Sequence, residues 1–492
     1  MLEFQHTSVL ESSVSKSTMR HTTAHRTLAF ALAAGSLLAP HVARAQSGDS
    51  LFAARVRGAR ALLAADRGRL WGARLDTLQW MGVQNGRVVL TADPHLAGYT
   101  REDDVWTGPL PTGITPSNTS VDWNGKRWAM VLMPLYGDSA LATRLLIHEG
   151  MHVEQPSLLP KPTYTETANG AGLLDEATGR TLLREEWRAL ASALRARVGI
   201  EGVGGRARRD AIRDALIFRA ARYAEATPDE ITRERALDVT EGLPEYTGWK
   251  LARAPRRDFI AQLDSASEQL PSFVRGFVYF TGPAYAMLLD DYEESAWHQS
   301  VRSFPDLQRL LYVAWHDRAP RDPDASLVAT ALAGHTLTSA QRTRLATLAE
   351  QAASRYGGAE IRTAEDARWA ARQKELAEYR VKFLQEPTLR IRPRSLNISF
   401  DPRRQASLGD SGTVMANLAW RGPTGAELHA PAGALVTSDW HEVRVPLGAV
   451  QLAPGPLAAP LSLQGDGWTL TLPVGWVVSA DGSSLVLTPP VQ

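Results

Sequence analysis

The chain has no cysteine, almost no net charge and no apolar run long enough to cross a bilayer. Without cysteine among 492 residues there are no disulfides, no thiolate nucleophile and no Cys-ligated metal. A formal charge of +1 leaves no basic field for nucleic acid and none for anionic lipid. The longest apolar stretch, Leu28 to Leu38, is too short for a transmembrane helix. Apolar residues make up 44% and charged residues 22%, the balance of a folded chain rather than a disordered one, and the length allows two or three domains.

That short apolar stretch follows a basic start and precedes Ala43-Arg44-Ala45. The order of basic, apolar and small-residue regions is that of a secretory signal cleaved after Ala45. Residues 1–45 therefore read as an upstream extension plus signal, and the mature protein as secreted or periplasmic, with no membrane span.

From Leu51 to Ala65 the pattern is helical, and the Trp-bearing pieces that follow read as short strands and turns. An Asn-Gly turn in SVDWNGKRWAMVLMPL predicts a hairpin ending in a strand at Trp128 to Leu132. Asp138 is suited to cap the next helix. The middle is strongly helical: TLLREEWRALASALRARV, RRDAIRDALIFRAARYAEA and ITRERALDVT space apolar residues three and four apart. Thr227 and Glu230 form a capping-box signature with Pro228 between them. Further helices are expected around Phe259, over Pro283 to Tyr292, from Ser339 to Tyr356 and from Thr363 to Leu384. Beyond Pro387 alternation of period two takes over, with Asp481-Gly482 as a hairpin turn. The expected fold class is α+β. Residues 46–385 form one domain, with a small α/β part at 46–137 and a mainly helical part at 138–385. Residues 386–492 form an all-β, sandwich-like domain.

The chemistry concentrates in LLIHEGMHVEQ, Leu145 to Gln155. On a helix His148 and His152 project from one face one turn apart, so both imidazoles reach one ion. Glu149 lies beside them without being needed as a ligand. Zinc lowers the pKa of a water it holds, and a neighbouring carboxylate can take the proton as that water attacks a carbonyl. Such a site needs a third protein ligand. His95, His298, His316, His335, His429 and His441 have no spacing that recommends them, which leaves carboxylates: Glu185 or Glu186 in LLREEWRAL, or Glu241 in EGLPEYTG. A donor for the oxyanion is also needed, and VYFTGPAYAMLLDDY offers Tyr279 and Tyr285.

HEGMH followed by EGLPEYTG resembles the gluzincin zinc metallopeptidases, the group of thermolysin, aminopeptidase N and glycyl aminopeptidase. The resemblance spans about Trp128 to Tyr292 and implies a thermolysin-like helical body, Zn2+ as cofactor and a peptide or protein substrate. It makes Glu241 the third ligand beside His148 and His152, Glu149 the general base, and Gly242 a point of close helix packing. Glu245, four residues on, becomes the acid that accepts a hydrogen bond from a ligand histidine. Tyr279-Phe280-Thr281-Gly282 matches the stretch that carries the oxyanion tyrosine, implying that role for Tyr279. Pro244 requires the ligand-bearing helix to begin near Thr240 or Glu241. The amine-anchoring glutamate of aminopeptidase N has no counterpart in WAMVLMPLYG, which points to cleavage of internal bonds.

Three smaller expectations complete the reading. The strand at Trp128 to Leu132 serves as an edge that pairs with extended substrate. Gly409-Asp410-Ser411-Gly412 has the local look of a serine nucleophile but is expected to be a turn between strands. Trp468 and Trp476 are the candidates for an exposed carbohydrate-binding face on the β domain.

Overall fold

The computed structural model describes Glu3–Phe4 and residues 48–490, apart from 136, 160–171, 197–204, 294–295, 318–321, 402–403 and 423–424. The expected signal, Met19 to Ala45, lies outside the described residues; of the stretch before it only Glu3–Phe4 are described, lying parallel beside Ser399–Phe400.

Helix α1 (Gly48–Asp66) leads into a mixed sheet of β1 (Trp80–Gln84), β2 (Arg87–Leu90), β3 (Thr100–Glu102), β4 (Val105–Pro109), β5 (Thr119–Trp123) and β6 (Lys126–Leu132). The strand order is β3-β4-β2-β1-β6-β5, with β1 and β6 parallel and the other pairs antiparallel. Alternation gives the sheet two apolar faces. Ala129 and Val131 join the helical core, whereas Trp128 and Met130 join a second cluster with Met81, Val83 and Val88. The Trp128 strand is therefore flanked by β1 and β5 and is not an edge. Both its faces are apolar and buried, so it sits inside the sheet, and the edge on this side is β5.

The helical body follows as α2 (Ser139–Leu158), α3 (Ala177–Arg195), α4 (Arg206–Glu225), α5 (Pro228–Thr240), α6 (Gly242–Leu251), α7 (Arg256–Asp264), the single turn α8 (Ala266–Gln269) and α9 (Val278–Glu293). After these come α10 (Ala296–Ser303), α11 (Leu307–His316), α12 (Ala325–Leu332), α13 (Ser339–Ala353) and α14 (Gly358–Arg380). Asp138 caps α2 by accepting from the Leu141 N–H, and Thr227 and Glu230 close a reciprocal box on α5. Helices α10, α11 and α12 have only eight to ten residues each and carry too little sequence to show a period of their own. Their stability comes from packing against neighbours. No helix of the described residues is long and apolar enough to cross a membrane.

Beyond α14 the strands form two sheets. One runs through Ile398–Phe400, Leu418–Arg421, Glu427–Ala430, Trp468–Leu472 and Leu461–Gly465. The other contains Thr388–Ile391 at its centre, paired in parallel with Ser484–Thr488 and antiparallel with Val443–Pro446. Between them lies a separate core that includes Phe400, Trp420, Leu470 and Leu487. Trp468 and Trp476 belong to that core and are buried, so neither forms an exposed aromatic face; each alternates inward on its strand or turn. Gly409–Ser411 is a short turn between Gln405–Ser407 and Thr413–Met415, as expected. Leu376 and Phe383 at the end of the helical body pack on Ala406, Val414 and Leu435 of the β region.

Candidate metal centre

Helix α2 is seated on the sheet by a backbone anchor and a missing side chain. The indole of Trp80 on β1 donates to the Leu146 carbonyl at 3.0 Å. Gly150, inside the His148 motif, lies where a Cβ would meet Leu78 at 3.0 Å and the Trp80 ring at 3.3 Å. Helix α6 crosses α2 as closely, since a Cβ on Gly248 would meet the Arg144 carbonyl at 2.9 Å. On its other side Gly242 abuts Gly282 of α9, where a Cβ on either would come within 2.8 Å of the other's Cα. Helix α6 begins at Gly242, which leaves Pro244 in the first turn, where the missing N–H costs no helical bond. These approaches bring α2, α6 and α9 onto one point.

At that point His148, His152 and Glu241 converge. The two Nε2 atoms lie 3.1 Å apart, and Glu241 Oε2 is 3.6 Å from the first and 3.5 Å from the second. Ligand bonds of about 2.0–2.2 Å in tetrahedral array separate donor atoms by roughly 3.4 Å, so this nitrogen, nitrogen and oxygen set fits a metal ion. Charge argues in the same direction. Burial pulls the His148 imidazole down, but Glu241, Glu245 and Glu149 outweigh it and raise it to about 10. Burial likewise pushes Glu241 up, yet the imidazoles of His152 and His148 hold it well below the ordinary carboxylate range. Three acids converge on two imidazoles, an excess of negative charge that a cation balances.

Around the three ligands each imidazole has an outer partner. His148 Nδ1 donates to Glu245 Oε2 at 2.9 Å, across 97 residues of sequence. The other oxygen of Glu245 accepts from the Trp249 indole at 3.0 Å, and the Arg144 guanidinium lies 3.7 Å above that ring. His152 Nδ1 meets Gln155 Oε1 at 3.1 Å, and Gln155 Nε2 donates to the Val239 carbonyl at 2.9 Å. Partners of this kind fix the ring tautomer and raise ligand basicity. Trp249, Arg144 and Gln155 were not singled out from the sequence. A signal existed only for Gln155, which stands three residues after His152 on the same helix face.

Glu149 is buried beside the ligands, and its Oε2 has no hydrogen-bond partner among the described residues. Burial pushes its carboxyl up to about 7, with His148 and His152 offsetting only part of that. The Tyr279 hydroxyl lies 3.4 Å from Glu241 Oε2, and its ring centre is 6.0 Å from that of His148. The Tyr285 hydroxyl instead donates to Glu186 at 2.9 Å. Glu186 is not a ligand. It accepts from Arg219 Nε at 2.9 Å and Arg222 Nη1 at 2.6 Å, fully buried in a separate cluster. Glu185 packs against Gly358 and is likewise not part of the triad. Tyr246 donates to Asp290 at 2.9 Å, tying α6 to α9. No protein-family model matches the chain, and comparisons with curated proteins and with solved structures give no significant match.

Proposed function

We propose that the protein is an exported zinc metallopeptidase of the gluzincin type, with a thermolysin-like helical body and a peptide or protein substrate. The observation that carries this reading is the convergence of His148, His152 and Glu241 with buried Glu149 beside them, its Oε2 without a hydrogen-bond partner among the described residues. The three ligands would hold the ion. When bound, zinc supplies Lewis acidity toward a carbonyl oxygen and lowers the pKa of water.

Glu149 accepts the proton of the attacking water as its oxygen bonds to the carbonyl carbon. As the C–N bond breaks, Glu149 delivers that proton to the departing amine. A carboxyl poised near neutrality can serve in both directions, and burial places it there. Tyr279 turns its O–H from Glu241 toward the oxygen that becomes negative. Glu245 and Gln155 hold both imidazoles with Nδ1 protonated, so that each Nε2 presents a lone pair to the ion. The same attack serves a non-peptide amide or ester, and a peptide-library digest separates the two. An intact Glu149 argues for catalysis over a binding role, since binding alone has no use for it.

The test is metal analysis with casein digestion for wild type and Glu149→Gln. The variant is expected to keep its zinc and lose about 10²–10⁴-fold in turnover. Cleavage at the wild-type rate would sink the assignment. N-terminal sequencing of the exported protein should begin at Gln46.

A further inference from the structure

Gln155 stands one helical turn beyond His152, and its amide is used at both ends. A carbonyl oxygen can only accept, so the Val239 carbonyl requires the Gln155 NH2 group to face it. The amide oxygen is then left facing His152 Nδ1, and an oxygen there requires that nitrogen to carry the proton. The lone pair of the imidazole is thereby placed on Nε2, the atom 3.5 Å from Glu241. Had the amide been free to flip, its NH2 would have met Nδ1 and stabilised the opposite tautomer, with the proton pointing at the ion's place.

The other end of the contact has its own consequence. Val239 lies in the last turn of α5, where backbone carbonyls have no partner within the helix. Glu241 follows two residues later at the junction with α6. One side chain therefore joins the imidazole on α2 to the segment that delivers the carboxylate ligand.

We propose that Gln155 is the positioning residue of the second imidazole: it selects the ligating tautomer of His152 and ties that ring to the Glu241 end of α5. The inference rests on the metal-ligand reading above and gives His152 a neutral amide where His148 has the carboxylate of Glu245.

Zinc affinity is measured by competition with a chelator for wild type, Gln155→Leu, Gln155→Glu and Glu241→Ala, together with the melting temperatures of the chelator-treated proteins. Gln155→Leu removes both contacts and should weaken zinc by about 10–100-fold. Gln155→Glu loses the Val239 contact but still accepts from Nδ1, and should recover most of that affinity although its metal-free melting temperature falls as in the leucine variant. A merely structural role predicts that affinity follows melting temperature, with glutamate no better than leucine; that result overturns the proposal. Wild-type affinity in Gln155→Leu, alongside loss of zinc in Glu241→Ala, also overturns it while leaving the ligand set standing. Zinc retained by Glu241→Ala instead overturns the ligand set, and this inference falls with it.

Discussion

Helix α5 carries acids into two buried clusters that differ in how their charge is met. On one side Glu234 and Asp238 join Glu186 around Arg219 and Arg222, at 2.7 Å for Glu234 to Arg222 and 3.1 Å for Asp238 to Arg219. One turn further, Glu241 joins Glu149 and Glu245 around His148 and His152. A guanidinium keeps its proton at any ordinary pH and has no lone pair to offer, so the first cluster is closed to a metal. An imidazole held by its Nδ1 proton offers a lone pair at Nε2, so the second is open to one. Acids of the same type thus become brace or ligand according to the base that faces them.

The sharpest way to break this contrast is to exchange the fates of Glu241 and Glu186. Glu241→Ala should abolish stoichiometric zinc, an effect beyond the 10–100-fold expected of outer partners. Glu186→Ala should keep zinc despite lower stability, and zinc content by elemental analysis decides between them. Next in size is Arg219→Ala, which leaves buried Asp238 without its guanidinium and Glu186 with that of Arg222 alone, and should cost about 3–5 kcal/mol in denaturant unfolding. Its folded fraction should still bind one zinc; loss of zinc there would mean the clusters are not independent. Removing the metal should cost less. At zinc 100-fold above its dissociation constant, chelation should lower unfolding free energy by about 2.7 kcal/mol, and Glu241→Ala should show no such response.

The last effect is spread over pH. Three carboxylates share two guanidiniums in the closed cluster, and Oδ1 of Asp238 has no hydrogen-bond partner among the described residues. Burial raises Asp238 to about 7, with Arg219 offsetting only part of it. A folded pKa above the unfolded one of about 3.9 means that the native state holds the proton more tightly. The contribution of Asp238 is therefore favourable at acid pH and is lost as pH rises from about 4 through 7. Asp238→Asn should gain stability relative to wild type across that window, measured by urea unfolding at successive pH values. A difference that is flat with pH would show that Asp238 stays ionised throughout.

Much of the local structure was legible beforehand. Asp138 and the Thr227–Glu230 box mark helix starts because a cap depends on neighbours within a turn. The Asp481-Gly482 turn and the change of period after Pro387 were readable for the same reason. Burial and strand order were not. Trp468 and Trp476 looked available for ligand yet fill a core, and the Trp128 strand looked like an edge yet lies between two partners. Composition does not say which face of a sheet is covered, or what lies beside a strand.

At the site, the sequence by itself determined the pair of imidazoles and their neighbouring acid, since helical periodicity puts residues 148, 149 and 152 together whatever the rest of the chain does. It narrowed the third ligand to a few carboxylates, and a family resemblance favoured Glu241 among them. Only the tertiary structure decided that Glu186 is neutralised by arginines, that Gln155 sits against His152 Nδ1 as Glu245 does against His148 Nδ1, and that Oε2 of buried Glu149 has no partner among the described residues. The physical reason is range. Spacing along a helix is set by the backbone, whereas the charge that meets a buried acid comes from whichever helix is packed against it.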